Sequence, residues 1–326
     1  MSDYAMIVPA PGGPEAFVRR EIATPRPGPG EALVRQTAVG LNFLDVYHRS
    51  GLYPWPVERD LTPGSEGAGV VEAIGDGVTD LAPGDRVAYT RPLGAYASAR
   101  TIPADRLVKL PEGIADDVAA TVMLKGLTAQ YLTHSTFPVQ AGMTVLVQAA
   151  AGGVGLILGQ WLAAMGATAI GTAGGPEKVA LAGTHGYSHV IDYSAGDFVA
   201  EVKALTGGQG VHVVYDSVGR DTWRGSLACL RTRGAFVTFG QSSGVIEGFS
   251  LGDLAAGGSL TACRPTLFNY IATREELEAR AADLFAMVQS GAIRAEVRQR
   301  FALSAAGEAH RALEERRTTG ATVLVP

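Results

Sequence analysis

The stretch that decides the fold is TVLVQAAAGGVG, residues 144–155. A run rich in β-branched residues comes first, a turn of alanine and glycine follows, and an apolar helical sequence begins at Val154. In register the turn reads A-x-G-x-x-G, with Ala150 in the place of the first glycine. Glycines at such a turn let the backbone approach a pyrophosphate, and the helix N-terminus offers free N–H groups to the anion. This strand, turn and helix favour a dinucleotide site over a purely structural turn. The predicted binding residues are Ala150, Gly152, Gly153, Val154 and Gly155.

The end of the next predicted strand indicates which dinucleotide binds. NAD sites carry an Asp or Glu about 20 residues beyond the fingerprint, where it bonds the ribose 2′-hydroxyl. This chain reads GTAGG at 171–175, and Lys178 follows at the start of the next predicted helix. No carboxylate stands there to repel a 2′-phosphate, and the lysine could pair with one, so the sequence favours NADPH over NADH. Gly174, Lys178 and Tyr193 are the predicted residues of this end, with a solvated lysine and a packed core tyrosine as the alternatives.

Strand and helix alternate over 125–266, which predicts right-handed βαβ units and a doubly wound parallel sheet. The segment 1–124 instead reads as short strands separated by Pro-Gly and glycine-rich turns, which is typical of an antiparallel domain. The predicted parallel strands are 144–148, 168–171, 189–191, 212–216, 235–239 and 259–263.

The sequence after Pro265 changes again. A long helix is predicted at 273–289, with Thr273 and Glu276 as its capping box, and a second helix at 304–316. A closing strand at 322–325 needs a sheet to join, and the first segment offers one. We therefore assign 1–124 plus 267–326 to one domain and 125–266 to an inserted dinucleotide-binding domain.

Composition and charge exclude several classes of protein. With 47% apolar and 18% charged residues the chain of 326 residues has enough apolar surface to fold, so it is not disordered. A net charge of −5 and a pI near 5.7 argue against a nucleic-acid partner. The apolar region between Lys125 and Glu177 is interrupted by polar residues and glycines, so we predict no membrane span. The N-terminus shows no signal peptide, and two cysteines make no disulfide framework, so we expect a cytoplasmic protein.

Seven segments spread along the chain resemble the medium-chain dehydrogenase/reductase superfamily, and within it the NADPH-dependent quinone oxidoreductases related to zeta-crystallin. The segments are GLNFLDVYHRSGLYP (40–54), PGSEGAGVV (63–71), KGLTAQYL (125–132), AAAGGVG (149–155), VVYDSVGRDTW (213–223), FGQSSG (239–244) and RPTLFNYIATREEL (264–277). The resemblance implies an α/β fold in which a Rossmann sheet is inserted into a GroES-like, mainly antiparallel catalytic domain. It also implies a homodimer joined through the Rossmann domains.

The resemblance also bears on metal binding. Zinc alcohol dehydrogenases of this superfamily carry a cysteine in the first motif and Gly-His-Glu in the second, where this chain has Asn42 and Ser65. Zinc prefers three or four Cys, His or carboxylate ligands, so we predict no metal. Without a metal to stabilise an alkoxide, alcohol oxidation is not expected, whereas a quinone accepts electrons downhill.

The same comparison suggests the catalytic residues Asn42, Asp45, Tyr47 and Tyr53. Asn42 could donate a hydrogen bond to a developing oxyanion, and a tyrosine could stack on the substrate or donate to it. The alternative is a loop whose aromatic residues merely pack. Further cofactor contacts implied by the resemblance are Thr128, Phe239, Gly240, Ser242 and Arg316, the last at the 2′-phosphate, although 314–317 would ordinarily be a solvated face.

Three functions follow as hypotheses. The first is a zinc-independent NADPH:quinone oxidoreductase that transfers a hydride or single electrons to a quinone. The second is an NADPH-dependent reductase of activated C=C bonds, such as enones or enoyl thioesters. The third is an RNA-binding or structural, crystallin-like protein, which the acidic charge balance disfavours.

Overall fold

The computed structural model describes residues 2–326. Its strands are β1 Asp3–Ile7, β2 Val18–Ile22, β3 Glu31–Gly40, β4 Glu66–Ile74, β5 Arg86–Thr90, β6 Ala99–Pro103, β7 Val108–Lys109, β8 Thr144–Val147, β9 Thr168–Ala173, β10 His189–Asp192, β11 Val211–Asp216, β12 Leu230–Thr238, β13 Thr261–Cys263, β14 Val297–Ala302 and β15 Ala321–Val325. Its helices are α1 Phe43–Ser50, α2 Asp116–Tyr131, α3 Gly153–Ala164, α4 Pro176–Gly183, α5 Phe198–Leu205, α6 Trp223–Ala228, α7 Leu251–Ala256, α8 Arg274–Gln289 and α9 Ala306–Glu314. Short 3-10 helices occupy Pro14–Ala16, Ala104–Arg106, Leu267–Asn269 and Leu303–Ala305, and a π-helical turn follows α2 at Leu132–Thr136.

The chain divides into two compact units. The first unit contains the chain up to Leu124 together with Thr273–Gln289 and Ala295–Pro326, and the second contains Lys125–Ala272 and Ser290–Arg294. The upstream limit lies at the predicted position, inside α2, whereas the downstream limit lies at Thr273 and not at the predicted 267.

Segment 267–272 belongs to the second unit because its side chains pack there. The Tyr270 ring stacks on Tyr131 at 4.5 Å between centroids, and its hydroxyl accepts a hydrogen bond from Thr136 Oγ1 at 3.1 Å. Leu267 and Ile271 are buried. These contacts join residues more than 130 positions apart, which is why chain order alone misplaced the boundary.

The second unit contains a six-stranded parallel sheet in the order β10-β9-β8-β11-β12-β13. Helices lie between successive strands, and the apolar core contains Leu146, Ile170, Val214 and Phe236. The predicted doubly wound parallel sheet is confirmed. Because β8 is central and the strand order reverses beside it, the loops at its carboxyl end lie at the position where such sheets bind ligands.

The first unit contains a mainly antiparallel sheet in the order β14-β15-β3-β4-β5-β7, with β6 paired to β3. The last strand, β15, pairs antiparallel with β3, where Leu324 faces Val39. The C-terminal segment therefore returns to the sheet built by the first third of the chain, as predicted. The buried core of this unit includes Val34, Val71, Tyr89, Ile102 and Leu324.

Three helices of the structure were absent from the predicted elements, namely α1, α2 and α7. Helix α1 begins at a capping box and ends at Gly51, whose φ of +79° is a left-handed conformation that glycine adopts without strain. Helix α2 is buried nearly all round over its second half, so its sequence shows no alternation between an apolar and a polar face. The predicted capping box of α8 is present, since the Thr273 N–H donates to Glu276 and the Glu276 N–H donates to Thr273, both at 3.2 Å. In residues 2–326, every helix is too short or too polar to span a bilayer.

Candidate functional site

The turn between β8 and α3 has the close backbone approaches that the fingerprint predicts. A Cβ atom on Gly155 would lie 2.4 Å from the Ala149 carbonyl oxygen and 2.6 Å from that of Ala150. Ala149 itself has a φ of +57°, a conformation that costs free energy in a residue with a side chain. Helix α3 begins directly after Gly152, so its first N–H groups open at this turn. The turn can hold a pyrophosphate.

Ala150 replaces a glycine without a clash because the facing strand carries a compensating glycine. The Ala150 side chain is fully buried, and its N–H donates to the Thr172 carbonyl at 2.8 Å. A Cβ on Gly171 would lie 2.6 Å from the Ala150 methyl group. The fingerprint usually has a glycine at position 150 to avoid a clash with the neighbouring strand. Here the glycine that avoids this clash is Gly171 in β9.

A buried polar network supports the carboxyl ends of three strands. The Thr172 hydroxyl donates to Gln148 Oε1 at 2.5 Å, and Gln148 Nε2 donates to Ser226 Oγ at 3.1 Å. The Ser226 hydroxyl donates in turn to Asp216 Oδ2 at 2.8 Å. Because each member is satisfied, the network holds β9, β8 and β11 in a common register beneath the dinucleotide edge.

Asp216 also organises the loop that follows β11. Its Oδ1 accepts the N–H groups of Val218 and Gly219 at 2.8 and 3.0 Å. A Cβ on Gly240 would lie 2.6 Å from the Ser217 carbonyl oxygen. The predicted residues Phe239, Gly240 and Ser242 therefore lie on a loop held against residues 216–218, at the same edge as the fingerprint.

Sequence reasoning missed Asp216, although an aspartate at the end of a predicted buried strand was a readable signal.

The end of β9 lacks an acidic side chain and is held in place by an acid from the neighbouring strand. Asp192 Oδ1 accepts the Gly175 N–H at 2.9 Å and the Ser194 hydroxyl at 2.6 Å. The Ser194 hydrogen bond and the backbone hydrogen bonds lower the pKa of Asp192. A Cβ on Gly174 would lie 2.7 Å from the Tyr193 hydroxyl, so that ring lies over the glycine while remaining 44% exposed.

Lys178 lies in the first turn of α4 and is half-buried. All three predicted residues of this end lie in the second unit. Gly174 directly follows β9, Lys178 lies in the helix after it, and Tyr193 directly follows β10. Thr128 lies in the part of α2 that belongs to the second unit and is buried. Arg316 lies in the first unit, two residues beyond the end of α9, whereas the prediction placed it inside that helix. It has a φ of +59°, because the chain leaves the helix through a left-handed turn.

Asn42 caps helix α1 in a way that fixes the direction of its amide. The Asn42 N–H donates to Asp45 Oδ2 at 2.9 Å, and the Asn42 side chain accepts the Asp45 N–H. The amide oxygen is the only acceptor of this side chain, so the amide nitrogen faces away from the helix. Within the described chain, Asn42 Nδ2 is buried without a hydrogen-bond partner. A buried donor of this kind costs free energy unless a ligand satisfies it.

The aromatic residues of the motif form one contiguous group. Tyr47 contacts Phe43 and Tyr53 with centroid separations of 6.2 and 5.1 Å, and His48 meets Tyr53 edge-on at 5.7 Å. Tyr47 is buried and Tyr53 is half-buried. Burial lowers the pKa of His48, and Arg91 acts in the same direction, so this histidine is neutral.

The residues at the expected catalytic zinc position do not fit zinc. Asn42 supplies an amide, and the fully buried Ser65 hydroxyl donates to Asp45 Oδ1 at 2.8 Å. Neither group is a preferred zinc ligand. Residues 2–326 contain no group of three or more His, Cys, Asp or Glu side chains placed to hold a metal.

A second polar network reaches Asp45 from the far end of the chain. Tyr96 Oη lies 3.4 Å from Asp45 Oδ2 and 2.8 Å from His310 Nε2. His310 Nδ1 lies 3.1 Å from Arg49 Nη1. Arg49 forms a two-pronged ion pair with Glu314 at 2.7 and 2.8 Å. Sequence reasoning missed this network because its members are up to 265 positions apart and share no local motif.

Comparisons with known proteins agree with this architecture. Residues 153–286 match the family described as zinc-binding dehydrogenase, and residues 28–112 match the alcohol dehydrogenase GroES-like domain. A Rossmann sheet together with a GroES-like sheet defines the medium-chain dehydrogenase/reductase class.

The chain is 51% identical to a quinone oxidoreductase of Pseudomonas aeruginosa, over 97% of each protein. It is 44% identical to a 2-haloacrylate reductase of a Burkholderia species, over 99% of this chain and 98% of that protein. The structure of Escherichia coli quinone oxidoreductase complexed with NADPH superimposes with a TM-score of 0.97 at 44% identity, covering 99% of this chain and all of that one. The chain belongs to the quinone oxidoreductase family of this superfamily.

Proposed function

We propose that this protein is an NADPH-dependent, zinc-independent reductase of quinones. The observation that carries the proposal is the buried, unpartnered amide donor of Asn42, at the position where zinc-dependent members of the superfamily carry a ligand. A fixed hydrogen-bond donor stabilises an oxygen that gains negative charge, and it does so without a metal. A quinone oxygen gains that charge when the ring is reduced.

The second unit offers the groups that would hold the cofactor. The N-terminus of α3 with Gly152, Gly153, Val154 and Gly155 would bind the pyrophosphate. Lys178 and Tyr193, beside Gly174, would bind the 2′-phosphate, with Arg316 as a further predicted contact. Ala150, Thr128, Phe239, Gly240 and Ser242 would line the remaining length. Bound NADPH supplies a hydride. Tyr47 and Tyr53 would orient the quinone ring, and Asp45 would hold the amide that meets its oxygen.

A second candidate function is the reduction of activated C=C bonds. The relative named 2-haloacrylate reductase favours it, since that protein is 44% identical over nearly its whole length. An enone also gains negative charge on its carbonyl oxygen during reduction, so one amide donor serves both reactions. Substrate preference must therefore be measured.

A panel of substrates tests the proposal. NADPH oxidation would be followed by absorbance with small quinones, enones, 2-chloroacrylate and a primary alcohol, each with and without a zinc chelator, and with NADH as the alternative donor. We expect fast oxidation with quinones that the chelator leaves unchanged. Turnover with only enones or 2-chloroacrylate would establish the second function, and chelator-sensitive alcohol oxidation would refute both.

A substitution at Lys178 tests the preference for NADPH over NADH. Lys178→Ala should weaken NADPH binding about tenfold and leave NADH binding unchanged, because a charge-assisted bond to the 2′-phosphate is lost. The matched control is Lys203→Ala, which removes an exposed lysine from α5 of the same unit. Equal effects of Lys178→Ala on both coenzymes would remove Lys178 from the site.

We further propose a homodimer formed through the second unit. Strand β13 is the last strand of the parallel sheet, and all three of its residues are exposed. The preceding segment carries exposed apolar side chains at Val245, Phe249 and Leu251, the last 80% exposed. An unprotected strand edge invites pairing with a second copy. Light scattering would give twice the chain mass, and Ala262→Pro should yield monomers, whereas a monomeric wild type would refute the proposal.

We also propose a cytoplasmic location, which is supported by the absence of a disulfide bond at Cys229 and Cys263.

A further inference from the structure

The network that reaches Asp45 has one direction of hydrogen-bond donation. Arginine has no acceptor, so Arg49 donates to His310 Nδ1, and the ring proton of His310 must then be on Nε2. Nε2 donates to Tyr96 Oη, which leaves the Tyr96 hydroxyl proton to point at Asp45 Oδ2. Arg49 thus selects the histidine tautomer, and the tautomer aims the tyrosine hydroxyl.

The histidine and the tyrosine of this network are both uncharged at neutral pH. Burial holds the pKa of His310 well below its usual value, and Arg49 acts in the same direction. Burial also raises the pKa of the Tyr96 hydroxyl well above its usual value, with the Asp45 carboxylate as the next cause. The donors are therefore permanent, and the network is a fixed framework of hydrogen bonds and not a proton path.

The network is costly for a role in stability alone. Asp45, Ser65, Tyr96 and His310 are fully buried, and Arg49 is 2% exposed. Burying so many polar groups gains little over an apolar core of the same shape. What the network does secure is the orientation of one carboxylate: Asp45 receives donors from Ser65, from Tyr96 and from the Asn42 backbone.

We propose that Tyr96 and His310 are positioning residues for Asn42. They hold the Asp45 carboxylate, Asp45 holds the start of α1, and the capping box then turns Asn42 Nδ2 away from the helix, as the donor to the substrate oxygen. The inference rests on the proposed function for its kinetic consequence. Its structural part, the aim of the amide, is independent of which substrate is reduced.

Tyr96→Phe is the test variant because it removes one hydroxyl and keeps the buried ring. Tyr89→Phe is the matched control: Tyr89 is equally buried in the same unit, and its hydroxyl donates to Gln36 and not to Asp45. For Tyr96→Phe we expect kcat to fall about tenfold with KM unchanged, since a misaimed donor fails chiefly in the transition state. Tyr89→Phe should stay within about twofold of the wild type in both constants.

A double-mutant cycle separates positioning from general loosening. Asn42→Ser retains a residue that caps helices well while removing the amide donor. In the Asn42→Ser background, Tyr96→Phe should have less than about a twofold effect, because Tyr96 acts through the missing amide. His310→Gln should behave in the same way. An undiminished effect in that background, or equal losses in Tyr96→Phe and Tyr89→Phe, would overturn the inference.

A spectroscopic measurement that needs no catalytic turnover separates the test of the positioning role from the test of the proposed function. The side-chain NH₂ resonances of Asn42, assigned through Asn42→Ser in nitrogen-15 spectra of the full chain, should move in Tyr96→Phe and stay in place in Tyr89→Phe. If they move although no quinone is reduced, the positioning role stands and the proposed function fails. If they do not move, the positioning role fails whatever the activity.

Discussion

The dinucleotide edge of the second unit and the α1 motif of the first unit are held in place by opposite means. At the dinucleotide edge the groups that face the ligand are backbone groups and glycines in short stretches such as 149–155 and 171–175, and a network of side chains lies beneath them. At α1 it uses side chains from distant segments: Ser65 and Tyr96 both meet the Asp45 carboxylate, and His310 contacts Tyr96. A site made from backbone tolerates few added atoms, whereas a site made from side chains depends on keeping each donor. Substitutions should therefore damage the two regions in different ways.

The largest effect is expected from crowding the backbone turn. Gly155→Ala places a methyl group 2.4 Å from the Ala149 carbonyl oxygen, a backbone atom that cannot move without displacing the turn. NADPH binding should weaken about a thousandfold, which is ~4 kcal/mol. Gly183→Ala is the control, because a Cβ there meets nothing within 4 Å. Isothermal titration would measure both, and near-normal binding by Gly155→Ala would contradict the backbone account.

A smaller effect is expected from removing the charge that anchors the α1 network. Arg49→Met should lower the free energy of unfolding by about 2 kcal/mol, below the usual cost of breaking a buried pair because Glu314 is 32% exposed and regains water. Arg298→Met is the control, since the ion pair of Arg298 with Glu296 is 34% and 51% exposed and should contribute under about 1 kcal/mol. Urea unfolding gives both values. Equal losses would show that the buried position of Arg49 has no special weight.

The smallest effect is a pH dependence of stability from His310. Its pKa is held well below the ordinary 6.5, so below that pH the unfolded chain binds a proton that the folded chain does not. The free energy of unfolding is therefore unaffected by this group above about pH 6.5 and falls by about 1.4 kcal/mol for each pH unit below it.

His310→Gln should lack this component. Between about pH 7 and about pH 5.5 the wild type should lose about 1.4 kcal/mol more than His310→Gln, as measured by urea unfolding at each pH. The comparison also removes the contribution of His48, which is present in both proteins and has a lowered pKa as well. Parallel losses would mean that His310 is protonated in the folded protein.

The two regions also differ in how far sequence reasoning reached them. The fingerprint, the missing acid after β9 and the position of Lys178 were all readable, because each depends on neighbours within a few residues. Asp192 was not, since it comes from β10 and reaches Gly175 only once the strands are paired. The compensation of Ala150 by Gly171 was not readable either, because it depends on the side-by-side packing of the β8 end and β9.

At α1 the motif residues are predicted candidates, but their arrangement could not be read from the sequence. The sequence shows a polar and aromatic run from Asn42 to Tyr53, and a packing loop was an open interpretation. The structure shows a helix with a capping box, which turns one buried amide nitrogen away from the helix and leaves it unpartnered. That direction depends on Asp45, and Asp45 depends on Tyr96 and His310.

Interactions between residues close in sequence could therefore be predicted from the sequence. Periodic apolar runs predicted the parallel sheet, and glycines predicted where backbone must approach a ligand. Long-range contacts were decided by folding alone. Hydrogen bonds act over about 3 Å and are indifferent to separation along the chain, so Arg49, Tyr96 and His310 meet only because β15 returns the C-terminal segment to β3.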